Sequence, residues 1–193
     1  MKKPIVTMLI VVICTVLSVV VYCNPELFEQ MCLATRPVNI WQYFSGCFIH
    51  VVEPRIAFWI QLIMNFMGLI PMGCMIEKRY GSQKVFILFV AEIVVTALLF
   101  QLVTWNKPSE AAGISSVMYA FGTVGFYCLY KEMREKKKEF WKKPASYYFV
   151  FIGLGMLTNI APMGSVVSMV LHSSGIVLGG IFVILNNKLV VNR

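Results

Sequence analysis

Six stretches of this sequence are apolar over about the length a helix needs to cross a bilayer, roughly 20 residues. They span about 4–22, 57–76, 85–104, 113–130, 145–161 and 166–185. Backbone N–H and C=O groups in hydrocarbon find no water, so such stretches are expected as helices rather than open strands. Composition points the same way. The chain is 59% hydrophobic and only 13% charged, where soluble domains carry about 25% charged residues. A soluble domain of 193 residues would leave large apolar patches uncovered and would aggregate. The expected fold is an all-α membrane protein, one six-transmembrane-helix bundle forming a single domain over 1–193. The first stretch follows Lys2 and Lys3 and so shares a feature with secretory leaders. Its apolar run is longer than a leader's core, and no small-x-small cleavage site follows it, so it reads as a retained helix.

The net charge of +8 is not a nucleic-acid signal, because the cations sit in short connections between apolar stretches. Cationic loops face the cytoplasm. With a cytoplasmic N-terminus, only Arg36, Arg55 and Lys107 of the 17 basic residues fall outside. Both termini are therefore expected in the cytoplasm. The outer connection, 23–56, carries Phe28, Trp41, Tyr43, Phe44 and Phe48. A connection that long usually has a function; two readings stand, a loop lying in the membrane interface or a loop merely anchored by its aromatics. Six cysteines (Cys14, Cys23, Cys32, Cys47, Cys74, Cys128) form no CxxC pair. They read as small buried hydrophobes, not as a metal or redox site, and no cofactor is expected. A disulfide among Cys23, Cys32 and Cys47 is left open.

Polar groups inside a bilayer are costly and usually have a job. Ser115 stands in Gly113-Ile114-Ser115-Ser116 at the outer end of the fourth stretch; a serine there serves either helix contact or nucleophilic attack. His172, in the outer third of the sixth, is either a structural histidine or a base for that serine. Gly175 and Gly179 share its helical face, where they let a neighbouring helix approach. If that neighbour is the fourth helix, Ser115 and His172 meet. Gln61 and Asn65, four apart, put two amides on one face, for interhelical bonds or for holding an oxyanion. Glu92 lies mid-helix without an assignable partner.

Taken in order, these residues resemble the rhomboid family of intramembrane proteases over about 41–185. Trp41-Gln42 is similar to a Trp-Arg motif in the family's first outer loop, with Gln42 in place of Arg. His50 resembles the first of two histidines ahead of an Asn, and Asn65 matches that Asn. Glu77-Lys78-Arg79-Tyr80-Gly81 resembles a Glu-x-x-x-Gly turn. Gly113-Ile114-Ser115 resembles Gly-x-Ser-Gly, Tyr119 an aromatic that packs on the catalytic histidine, and His172-x-x-Gly175-x-x-x-Gly179 the histidine helix. The departures are Ser116 for Gly, Gln61 for the second histidine, and about six extra residues near 51–56.

The resemblance implies a serine endopeptidase that cleaves single-pass transmembrane proteins near the outer membrane face, with Ser115 as nucleophile and His172 as base. Asn65 and Gln61 would stabilise the oxyanion. The chain has no aspartate, so the pair would be a dyad rather than a triad. A bacterial plasma membrane is the expected location. The alternative is a catalytically silent rhomboid-like protein that binds membrane helices as chaperone or adaptor. A transporter would want paired charges or broken helices at mid-bilayer, and only Glu92 and Pro71 hint at that.

Overall fold

The computed structural model describes residues 3–36, 39–135, 144–158, 160 and 165–191. The long helices are α1 (Ile5–Cys23), α4 (Arg55–Tyr80), α5 (Ser82–Thr104), α6 (Ser115–Glu135), α7 (Pro144–Thr158) and α8 (Val166–Val191). Between α1 and α4 lie a 3-10 turn (Pro25–Leu27) and two short helices, α2 (Phe28–Met31) and α3 (Gln42–Ser45). Two short strands, β1 (Leu33–Ala34) and β2 (Glu110–Ala111), pair antiparallel and tie this connection to the one before α6. The expected fifth stretch ends at 161, and residues 159 and 161 lie outside the described residues.

Among the described residues, four helices are long and apolar enough to cross a membrane: α1, α4, α5 and α8 through Asn186. α7 has a shorter apolar part, Tyr147–Leu157. α6 is too polar by composition, and its surroundings explain why. Every residue from Ser116 to Gly122 is buried, so the first two turns of this helix are wrapped on all sides by protein. Its most extensive contact is with α8, then with α4. A helix shielded from lipid has no need of a uniformly apolar surface.

Local chemistry moves several helix ends from their expected positions. α6 starts at Ser115 rather than 113, because Gly113 has φ 123, outside helical space and suited to glycine alone. α4 runs past its apolar stretch through Glu77, Lys78 and Arg79. A carboxylate in the last turn opposes the helix dipole, and Glu77 has a compensating role. It accepts bonds from the Val6 and Thr7 backbone N–H groups (2.9 Å each) and from the Thr7 and Ser82 hydroxyls (2.8 and 2.6 Å). One buried side chain thus satisfies the unpaired N-terminal donors of α1 and fastens α1, α4 and α5 together.

The 23–56 connection is folded rather than loose. Gln42 is 1% exposed; its Nε2 donates to the Glu29 and Cys32 carbonyls (2.8 and 3.2 Å) and its Oε1 accepts from the Asn39 N–H (2.9 Å). The neighbouring Ile40, Trp41 and Phe44 are exposed on the outside of the same turn. Trp41 Nε1 still donates to the Gln30 carbonyl at 3.1 Å.

At the crossing of α6 and α8 two glycines bring the helix backbones close together. A Cβ on Gly175 would run into the Ser116 carbonyl oxygen, and one on Gly179 would lie 2.6 Å from the Ala120 carbonyl oxygen. Gly180, one residue on, has nothing within 4 Å. Gly175→Ala is therefore expected to destabilise the detergent-solubilised protein by about 1–3 kcal/mol. Gly180→Ala should leave thermal unfolding unchanged or slightly raised, since alanine is the better helix former. Comparison of the two melting curves checks this.

Candidate active site

Ser115 is the first residue of α6. The helix's hydrogen-bond ladder begins with the Met118 N–H on the Ile114 carbonyl (3.0 Å). The N–H groups of Ser115, Ser116 and Val117 precede that ladder, so the helix's partial positive end lies at the serine. His172 comes from the second turn of α8, carried to α6 by the glycine crossing. Its Nε2 lies 2.8 Å from Ser115 Oγ. Its Nδ1 lies 2.8 Å from the Ile160 carbonyl oxygen. A carbonyl only accepts, so the neutral ring carries its hydrogen on Nδ1 and presents a bare Nε2 to the serine hydroxyl. The Tyr119 ring stacks on the imidazole, centroids 4.4 Å apart and planes 22° apart. Tyr119 is itself fixed by its hydroxyl, which donates to the Met156 carbonyl at 2.6 Å. The imidazole is thus oriented by a hydrogen bond at its edge and a ring on its face.

A cavity of about 720 Å³ opens over this pair and is lined by Gln61, Asn65, Gly113, Ser115, Met118 and His172, among others. Ile60 and Met64 of α4 and Phe151 and Gly155 of α7 also line it. Both amides singled out in the sequence converge here. A Cβ on Gly113 would sit 2.9 Å from Gln61 Nε2 and 3.9 Å from Asn65 Nδ2. Gln61 bridges two loops: its Oε1 accepts from the Val51 N–H (3.2 Å) and its Nε2 donates to the Ala112 carbonyl (3.3 Å). Asn65 Nδ2 is 3.0 Å from His50 Nε2. His50 is fully buried.

Residues 37–187 match the family described as Rhomboid domain, a span that holds all of these side chains. The chain belongs to the rhomboid family. It is also 26% identical over 189 residues to the rhomboid protease GlpG of Haemophilus influenzae, covering 93% of this chain and 92% of that protein. An integral membrane protein of an intramembrane-protease family is what these likenesses and the apolar helices establish together. Within this rhomboid, Ser115, His172, Asn65 and Tyr119 gather at one cavity. Gly175 and Gly179 act one helix contact away, and Trp41 stands apart on the outer connection, against Gln30.

Some functional neighbours were not legible in the sequence. The Ile160 carbonyl is a backbone group, which no residue type announces. Glu92, unassigned from sequence, accepts from Ser174 Oγ (3.0 Å) and Thr96 Oγ1 (3.1 Å) through one oxygen; among the described residues its second oxygen has no hydrogen-bond partner. Thr96 also meets Ser116 Oγ at 3.0 Å, so Ser116 joins a polar chain across α5, α6 and α8. Among the described residues no three His, Cys or Glu side chains group as a metal site.

His50 lies in the connection before α4, where burial lowers its pKa from 6.5 to about 4. In the unfolded chain it binds a proton at a higher pH than in the fold, so folding stability is full above about 6.5 and falls as pH drops through 4. That difference corresponds to roughly 3 kcal/mol. Melting temperature in detergent should decline over this window, and the decline should be shallower in His50→Gln. Parallel curves for the two proteins would contradict the assignment.

Proposed function

We propose that this rhomboid is an intramembrane serine endopeptidase working through a Ser115/His172 dyad. The observation that carries the reading is the 2.8 Å contact between Ser115 Oγ and an Nε2 left bare by the Nδ1–Ile160 bond. Ser115 Oγ attacks the substrate carbonyl while Nε2 takes its proton. The oxyanion is held by the Ser115 N–H at the positive end of α6 and by Asn65, with Gln61 beside it. Collapse breaks the C–N bond, and His172 returns the proton to the leaving amine. Water then hydrolyses the ester on Ser115 by the same steps. The Ile160 carbonyl orients the imidazole, the task an aspartate performs in a triad.

The whole of 1–193 acts as one membrane domain, and α6 and α7 complete a six-span bundle around it. The burial of α6 supports this, since a polar helix enclosed by protein crosses a membrane without exposing its polar groups to lipid. Both termini lie in the cytoplasm of a bacterial cell, as the basic residues favour, so the dyad works near the outer face. The substrates are single-pass membrane proteins, admitted from the bilayer between α4 and α7. A helical peptide bond is shielded by its own hydrogen bonds, so the substrate must unwind before attack.

A fluorophosphonate, which reacts with activated serines, tests the dyad without a known substrate. The wild-type protein should label, and Ser115→Ala and His172→Ala should not. An unlabelled wild type that is demonstrably folded would favour the silent, helix-binding rhomboid instead. Labelling that survives Ser115→Ala would move the nucleophile elsewhere.

A further inference from the structure

Asn65 can serve an oxyanion only if its amide is turned the right way. Its nitrogen donates; its oxygen accepts and would repel the developing charge. The two ends of an amide are nearly the same size, so shape alone does not choose between them. Something must choose by hydrogen bonding.

The choice is made by a directed chain of groups. Ser18 is fully buried, and its hydroxyl donates to the Phe48 carbonyl at 3.1 Å. That hydroxyl has one hydrogen; placed on the Phe48 carbonyl, it leaves the serine oxygen to accept from Nδ1–H at the 2.8 Å contact with His50, the arrangement that also gives Asn65 Nδ2, which can only donate, an acceptor in Nε2. With the hydrogen on Nδ1, the neutral ring has a bare Nε2. Asn65 meets that nitrogen at 3.0 Å and must offer it an N–H. Nδ2 also faces the cavity, 3.9 Å from where a Gly113 Cβ would be, and its second N–H is available there. Phe58 and Phe66 present their edges to the imidazole, centroids 6.5 and 6.4 Å away. Burial keeps the ring neutral at ordinary pH, with a pKa of about 4.

We propose that His50 is a positioning residue for the oxyanion site: its Nδ1–H tautomer, set by Ser18 and Phe48, holds the Asn65 amide with the nitrogen toward the cavity. The opposite tautomer, with hydrogen on Nε2, would draw the Asn65 oxygen to that side and turn an acceptor toward the oxyanion. The inference rests on the dyad reading for its catalytic meaning, but the tautomer is readable without any activity.

The chain has two histidines, His50 and His172, so nitrogen-15 spectra of the histidine-labelled protein in detergent contain two imidazoles. The His50→Gln spectrum assigns them. At neutral pH His50 should be neutral with its hydrogen on Nδ1, and Ser18→Ala should weaken that preference. A hydrogen on His50 Nε2 in the wild type overturns the proposal whether or not the protein labels. Fluorophosphonate labelling rates supply the second arm. Asn65→Ala and His50→Ala should each slow labelling by about 100-fold. The double variant should be no slower than Asn65→Ala, because His50 acts through Asn65. His50→Gln, whose carbonyl can accept from Asn65, should recover rate relative to His50→Ala. Multiplying losses in the double variant would mean that His50 supports the fold and not the amide. A wild type that fails to label defeats the dyad reading, and the spectra then decide the tautomer alone.

Discussion

The close crossing of α6 and α8 is the constraint on which the site depends. Ser115 heads one helix and His172 lies on the other, 57 residues away in sequence. Only because Gly175 and Gly179 have no side chains does α8 reach the backbone of α6. The same contact brings Tyr119 flat against the imidazole. In lipid there is little hydrophobic gain in pressing two apolar helices together, so close van der Waals contact and interhelical hydrogen bonds carry the association. A site built on such a crossing is as rigid as the crossing itself, which suits a nucleophile and base that must stay within hydrogen-bonding reach.

Elsewhere in the bundle, three buried or half-buried polar side chains are answered by specific partners. Glu77, on α4, collects four donors from α1 and α5. Gln42 uses both ends of its amide to gather the outer connection. Gln61 joins the segment at Val51 to the segment at Ala112, just ahead of the Gly113 turn. Each removes a desolvation cost of about 1–3 kcal/mol per otherwise unpaired group. Gln42 and Gln61 are neutral amides that each engage backbone groups at both ends.

Much of this was legible in the sequence, for a physical reason. Membrane helices announce themselves by length and apolarity, and polar residues within them stand out because lipid penalises them. Ser115, His172, Asn65, Gln61 and the two glycines were visible on that ground, and the structure gathers them at one crossing and one cavity. Helix ends were less legible. The start of α6 is set by the backbone angle of Gly113, and α4 runs on through Glu77, which caps α1, to the Gly81 turn; neither is an apolar signal. The expected loop at 23–56 concealed α2, α3 and β1, whose order comes from long-range bonds such as those of Gln42. Glu92 showed itself as an oddity; Thr96 lies one turn on in the same helix, but its other partner, Ser174, lies on α8, which only the fold brings to it.

The most direct test is proteolysis in a defined bilayer. Purified wild-type protein and Ser115→Ala are co-reconstituted with a panel of single-pass reporter proteins, and the products are mapped by mass spectrometry. The account predicts one cut near the outer-face end of a reporter's membrane segment, made by the wild type and abolished in Ser115→Ala. Equal cleavage by both proteins, or cuts confined to the cytoplasmic end, would contradict it.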